Sequence, residues 1–548
     1  MGSTGRPGTG VRPERAARSL RPVVLAVVLA VLAAVVPGLV GSTSDAATKR
    51  SITISRTLSA SSALTGDAIR VSGHVSLGRT GSVIALQRYV GGRWTTYSRS
   101  RLTSGRAYHF TVVRTVASVR KYRVYSPTDS YRKAAATHSF TLSFVACTPL
   151  TKPANGTAAW FARPYSRTTS PIATQLSRLF CSAANGSTVD VGMYFIRGGS
   201  GQKDANVILT ALQRVHRYRA VKVRIVMEGR LYRPGAALAP SLTELKKFAT
   251  VRLCNLGCHN ERYASEAKGA IMHHKFVAIS DMRWSRTVDP AVVVSSANWS
   301  QSQLRYKWQS AVLDYNDPAL FQHLDTEYRV LDTCSVSGCA AWAATVARLA
   351  IAPAYALSES DRLWHDADST WRQGTAGRGI SVAMSPWLKR DMVATRLRKY
   401  TCTPEHHTVR VGHMFLTSAR TSVIAALSDL RQRGCVVQVV LGLPDESVQS
   451  SGIRALREVG LRPYCTARVH DKIILLDAVR VADGRPDQVV LMGSQSLGKT
   501  ALRGNDEEIL AISTAAATGA SVTTNTGLWN AFNKQWWAIH DAGKGCPA

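Results

Sequence analysis

The sequence predicts an α/β protein made of two copies of one lobe, preceded by an all-β sandwich. Three observations predict it. Residues 49–145 alternate apolar and polar side chains, Cys147 opens a region where strands alternate with longer helical segments, and that region contains an internal repeat. Length agrees, because 548 residues exceed what one hydrophobic core organises.

The chain begins with arginines (Arg12, Arg15, Arg18, Arg21), an apolar run "PVVLAVVLAVLAAVVPGLVG" and the small-residue stretch "STSDAATKR". That order predicts a secretory signal over 1–46, with Ser44 and Ala46 framing cleavage after Ala46. An uncleaved anchor is the rival reading. Pro37 and the glycines after it shorten the apolar run and favour cleavage. With no second long apolar run, the mature protein is expected to be secreted, in a bacterial extracellular setting. Ten cysteines fit an oxidising compartment and up to five disulfides, with Cys254/Cys258 and Cys334/Cys339 spaced to close small loops. Neither pair is followed by a second pair at zinc-site spacing, so no metal site is expected.

Residues 49–145 carry runs such as "SVIALQRYV", "YHFTVVRTV" and "HSFTLSFV" between Gly, Ser and Asp turns, which predicts about seven antiparallel strands. This segment holds 16 Lys and Arg against Asp67 and Asp129, a net +14. It shows no catalytic constellation and reads as a binding or spacer module, resembling the immunoglobulin-like sandwiches of secreted proteins.

The repeat spans 147–345 and 346–548. "FCSAANGSTVDVGMYFI" (180–196) aligns with "TCTPEHHTVRVGHMFLT" (401–417), "ANVILTALQRVHRYRAVKVRIVME" (205–228) with "TSVIAALSDLRQRGCVVQVVLGLP" (421–444), and "LKKFATVRLC" with "LREVGLRPYC". Each copy reads strand, helix, strand, helix, strand and culminates in a His-x-Lys strand, "MHHKFVAIS" (272–280) or "VHDKIILLD" (469–477). The C-terminal "LWNAFNKQWWAIH" reads as an amphipathic core helix, with a lipid-interface role as the weaker alternative.

Side chains two apart share a strand face, so His273 and Lys275 project together, as do His470 and Lys472, while His274 points away. Each strand is followed by a polar segment closing a further apolar strand, "SSAN" (295–298) or "GSQS" (493–496). Two such lobes would bring two histidines and two ammonium groups to one cleft, which suits displacement at a phosphodiester. One neutral histidine attacks phosphorus, the other protonates the leaving oxygen, and lysines with neutral donors hold the non-bridging oxygens.

His-x-Lys-x4-Asp followed by Gly-Ser-x-Asn, present twice over about 150–545, resembles the phospholipase D superfamily. The resemblance implies a two-lobed, pseudo-twofold fold and metal-independent chemistry with no cofactor. It implies that His273 is the nucleophile and His470 the acid, with Lys275, Lys472, Ser296, Asn298, Ser494 and Ser496 on the phosphoryl oxygens. Asp477 would hold a histidine through its ring nitrogen. Glu507 in "GNDEEIL" fits the family's later Asn-x-Glu segment, with Gln309 as its first-lobe counterpart. Two positions depart from the pattern. Ser280 stands where the first motif has Asp, which would deprive a histidine of a carboxylate, and Ser496 stands where the second has Asn.

The expected function is a secreted, monomeric phospholipase D-type phosphodiesterase that removes glycerophospholipid headgroups at a membrane surface. The net charge of +34 also suits a metal-independent nuclease acting on nucleic acid, or a catalytically decayed polyanion-binding protein. Two motifs in one chain go with lipid substrates in this superfamily, which favours the first reading.

Overall fold

The computed structural model describes residues 48–164, 168–254, 257–259, 269–284, 287–337, 371–387, 390–443 and 447–547. The signal segment, the lobe boundary at 345/346 and the Cys334/Cys339 loop lie outside the described residues and side chains.

Residues 57–145 form two sheets rather than a simple set of seven strands. One has three strands, ordered Thr57–Leu58, Ala68–His74, Ala107–Val113. The other has six, running Ser62–Leu64, Phe140–Val145, Ser118–Ser126, Val83–Val90, Arg93–Arg101, with Ala135–Ala136 paired at the side. Alternate residues of both sheets, among them Ile69, Val71, Phe110, Ile84, Leu86 and Val124, share one core. Period two is therefore the right signal, and the extra strands are two- and three-residue edges too short to pattern. Asp67 fastens this unit to the rest of the chain by accepting from Arg219 at 2.9 Å and pairing with Arg283.

Beyond Cys147 the chain is mixed α/β. A seven-stranded sheet runs Thr157–Ala162, Gln309–Tyr315, Ala291–Ser295, Lys275–Ile279, Thr188–Met193, Lys222–Glu228, Thr250–Cys254. The core of a ten-stranded sheet runs Arg378–Ser385, Glu507–Ala517, Pro486–Gly493, Lys472–Arg480, Thr408–His413, Val436–Gly442, Tyr464–Thr466. Both orders begin with four antiparallel pairings and end with two parallel ones, place for place. The parallel pairings need crossover helices, supplied by Lys203–Arg219 and Ala239–Leu245 in the first sheet and by Thr421–Gln432 and Ser447–Glu458 in the second.

The strands that pair with the motif strands both carry glycine. A Cβ on Gly192 would lie 2.5 Å from the Phe276 ring, and one on Gly412 would lie 3.1 Å from Ile473. Gly192 pairs with Phe276 and Gly412 with Ile473, so the motif strand's large side chain fills the glycine gap in each sheet.

The faces of the two sheets meet in one apolar cluster. Phe276, Val294 and Val312 of the first pack with Ile473, Val490 and Leu510 of the second, and with Phe532 and Trp536. Those last two lie on the C-terminal helix Ala520–Asp541, whose Leu528, Trp529 and Ile539 are also buried, so it packs as a core helix. Fully burying each such side chain stabilises the fold by about 1.5–3 kcal/mol, so this face is a principal source of cohesion between the sheets.

Disulfides join Cys147–Cys181, Cys254–Cys258, Cys402–Cys435 and Cys465–Cys546. These four bridges among the described residues fit an oxidising compartment. Among the described residues, no helix is long and apolar enough to cross a membrane.

Candidate active site

Two reciprocal backbone bridges join the halves where the motif strands begin. His273 N donates to Asp506 O at 2.9 Å and Asp506 N donates to Ile271 O at 3.0 Å; His470 N donates to Trp308 O at 3.2 Å and Trp308 N donates to Arg468 O at 3.0 Å. Each His-x-Lys segment is thus bonded to the residue just before Glu507 or Gln309 of the opposite sheet. Histidine and partner therefore meet although they lie 234 and 161 residues apart.

Both histidines precede their strands, which start at Lys275 and Lys472. The lysines turn back identically: Lys275 Nζ donates to His273 O at 2.7 Å and Lys472 Nζ to His470 O at 2.9 Å. This fixes two long, buried side chains with a local bond in each half. The residue between His and Lys points away, as the alternation predicts. His274 bonds Glu508 at 2.6 Å and Glu327 at 2.8 Å, and Asp471 accepts from Ser310 and from Gln535.

The partners of the two histidines differ. His273 Nδ1 lies 2.7 Å from Glu507 Oε2, whereas His470 Nδ1 faces Ser296 O at 3.1 Å and Gln309 Oε1 at 3.2 Å. Glu507 Oε1 is itself held by Asn505 Nδ2 at 2.9 Å. Tyr194 packs edge-on against His273, with ring centroids 4.9 Å apart. A cleft of ≈ 630 Å³ opens onto His273, His470, Asn298, Ser496 and Glu507. Its walls include Tyr194, Phe195, Ile271, Met414 and Phe415, apolar residues that no motif marked.

Burial and positive charge govern the electrostatics. Burial, then Lys275 and Lys472, push His273 well below its ordinary value; burial, then the same two lysines, does the same to His470. Burial and mutual repulsion bring Lys275 down to about 7, and burial brings Lys472 to about 8 despite nearby Glu507 and Asp471. Burial raises Glu507 to about 7 against the pull of Lys275. The cleft thus holds two lysines whose charged forms burial disfavours.

Of the remaining expected residues, Ser296 Oγ donates to Gln309 Oε1 at 2.7 Å, orienting the amide that faces His470. Ser494 Oγ accepts from Glu508 N at 3.0 Å. Asn298 lines the cleft, and its buried Oδ1 finds no partner among the described residues. Ser496 lines the cleft, and its carbonyl accepts from Arg420 at 3.2 Å.

Asp477 requires a correction. It does not reach a cleft histidine: it lies five residues beyond Lys472 on a strand pairing Asp477 with Thr408, and accepts from His406 Nδ1 at 2.8 Å. A strand advances about 3.3 Å per residue, which puts Asp477 roughly 16 Å from Lys472. Ser280 holds the equivalent far end of the first strand, where its Oγ accepts from Thr188 N at 2.9 Å. The missing carboxylate at Ser280 therefore costs the cleft nothing, because the histidine partners come from across the interface.

Behind the cleft, His259, His274 and Glu327 form the one group among the described residues that could hold a metal ion. Their N···O separations of 2.8 and 2.9 Å are hydrogen-bond distances. Burial works against charging His274, but its bonds to Glu327 and Glu508 raise it to about 10, so it serves as the cation between two carboxylates. Sequence reasoning missed this chain because Glu327 and Glu508 lie in unrelated helix and strand patterns.

No curated protein matches the sequence. Among solved structures, the polyphosphate kinase of Porphyromonas gingivalis matches at 11% identity with a TM-score of 0.38, over 79% of this chain and 71% of that one. The family model described as "Cardiolipin synthase, PLD-like domain" matches residues 178–331 and 405–536. Those two segments make up more than half of the chain and contain both His-x-Lys strands. The chain belongs to this PLD-like family of the phospholipase D superfamily, a family of phosphoryl-transfer enzymes.

Proposed function

We propose that the protein is a secreted phosphodiesterase that hydrolyses glycerophospholipid headgroups through a phosphohistidine, with the two sheets acting as pseudo-twofold halves of one site. The observation that carries this reading is the unequal partnering of two histidines in one cleft. A carboxylate at 2.7 Å holds the Nδ1 proton of His273, leaving Nε2 with a lone pair aimed for attack. His470 Nδ1 faces no carboxylate, only Ser296 O, Gln309 Oε1 and Lys472 Nζ at 3.2 Å, and His470 serves as the acid.

The diester enters between Lys275 and Lys472, and its charge restores their protonation and raises the proton affinity of His470. His273 Nε2 attacks phosphorus while His470 protonates the departing headgroup oxygen. Water then attacks the phosphohistidine, giving a proton to His470 and freeing His273. The lysines and Asn298 stabilise the charge on the non-bridging oxygens. The apolar walls contributed by Tyr194, Phe195, Met414 and Phe415 favour a lipid over a polar polymer. The net charge of +34 supports a second reading, a nuclease using the same cleft.

The test is incubation of the mature protein in EDTA with phosphatidylcholine vesicles or plasmid DNA. Choline release without nicking supports the lipid reading, and nicking alone replaces it with the nuclease. His273→Ala and His470→Ala should each abolish turnover in a folded protein; substantial activity in both defeats the two-histidine mechanism.

A further inference from the structure

A second cavity, of ≈ 620 Å³, lies at the other end of the ten-stranded sheet. Lys472 stands at the cleft end of its strand and Arg480, eight residues on, lines this cavity, about 26 Å away at the usual strand rise. Arg396, Arg398, Lys399 and Arg480 line it, and Asp487 is the one acid among the lining residues.

That acid is already hydrogen-bonded locally. Asp487 accepts from Tyr400 Oη at 2.9 Å, Ser513 Oγ at 2.8 Å and Ala515 N at 3.0 Å. Its charge is spread over these donors. The cations are less well provided for. Arg480 pairs with Asp483, but Arg398 and Lys399 are exposed and Arg396 stacks on Trp371 at 5.3 Å. Arg396 Nε and Trp371 Nε1 are both buried donors with no partner among the described residues. Four cations therefore line the cavity against one carboxylate that is already hydrogen-bonded, a charge balance that suits an acceptor-rich anion.

We propose that this cavity is a second ligand site, which binds a phosphomonoester group through Arg396, Arg398 and Lys399. Guanidinium groups match phosphate oxygens in fork geometry, and the Ser381 and Gln373 side chains suit the hydroxyls of a small polar remainder. The group is presented either by a soluble ester such as glycerol phosphate or by a monoester lipid headgroup. Binding here does not depend on the chemistry assigned to the cleft.

The experiment is calorimetric titration of the full chain with glycerol 3-phosphate, repeated on Arg398→Gln/Lys399→Gln, whose exposed side chains can change without disturbing the core. Loss of one binding site, or its weakening by about tenfold or more, is expected, with hydrolysis at the cleft unchanged. If the soluble ester binds neither protein, co-sedimentation with phosphatidate vesicles decides. A comparable loss in the variant identifies a headgroup as the source. Identical isotherms and identical vesicle binding for the two proteins overturn the proposal. His273→Ala serves as the control that separates the sites, since it must retain the binding that the double variant loses.

Discussion

Glu507→Gln separates the geometry of the cleft from mere burial. The substitution keeps the side-chain shape, so its consequence depends on which end of the amide faces His273. Asn505 Nδ2 donates to Glu507 Oε1, and in the variant it still requires an acceptor there. The amide oxygen is therefore held toward Asn505 and the NH2 is turned toward His273 Nδ1, 2.7 Å from the former Oε2. An NH2 at that point demands a lone pair on Nδ1 and drives the proton to Nε2, the atom that must attack. Loss of a charge-assisted bond alone is worth about 1.5–3 kcal/mol, roughly 10- to 150-fold in rate. Imposing the wrong tautomer costs about 10⁴-fold in the comparable protease triad, so a fall in kcat of about 10³- to 10⁴-fold is expected. Adding Asn505→Asp supplies an acceptor for the NH2, turns the amide oxygen to His273 and should recover at least about tenfold of that loss. The assay is initial-rate hydrolysis of a short-chain phosphatidylcholine below its micelle concentration, with circular dichroism confirming the fold. Activity within tenfold of the native protein in Glu507→Gln, or no recovery in the double variant, refutes the tautomer argument.

Three further outcomes follow from the same geometry. Lys275 and Lys472 titrate at about 7 and about 8, below their ordinary value, so dimethyl phosphate, which keeps one negative charge throughout, should bind most tightly below about pH 7 and progressively less well as pH rises through 8; an affinity constant from pH 6 to 9 contradicts this. Asp477→Asn should leave kcat intact and change stability by no more than about 1 kcal/mol, since it removes only a partly exposed pair with His406, and a large loss of turnover would restore Asp477 to the site. Cys402→Ser/Cys435→Ser opens a bridge of sequence separation 33 and should lower unfolding stability in urea by about 3–4 kcal/mol; a loss under about 1 kcal/mol shows that the bridge does not constrain the unfolded chain.

The sequence by itself determined the parts whose information is local. Alternation of apolar residues marked the strands of 49–145, and the repeat marked two equivalent α/β units whose strand orders correspond place for place. His273, Lys275, His470 and Lys472 were legible because a strand fixes which neighbours share a face, and their recurrence at matching places is rare by chance. Tertiary structure alone decided which residue serves which. Asp477 lies within its own motif yet sits at the far end of a strand, whereas Glu507 reaches His273 from the opposite sheet through the Asp506 bridge. The same holds for the apolar wall of Tyr194 and Phe415, the buried chain from His259 to Glu508, and the second cavity beside Arg396. The physical reason is that periodicity specifies the direction of a side chain, while partnership requires two backbones to approach. Here that approach is set by the packing of one sheet against the other.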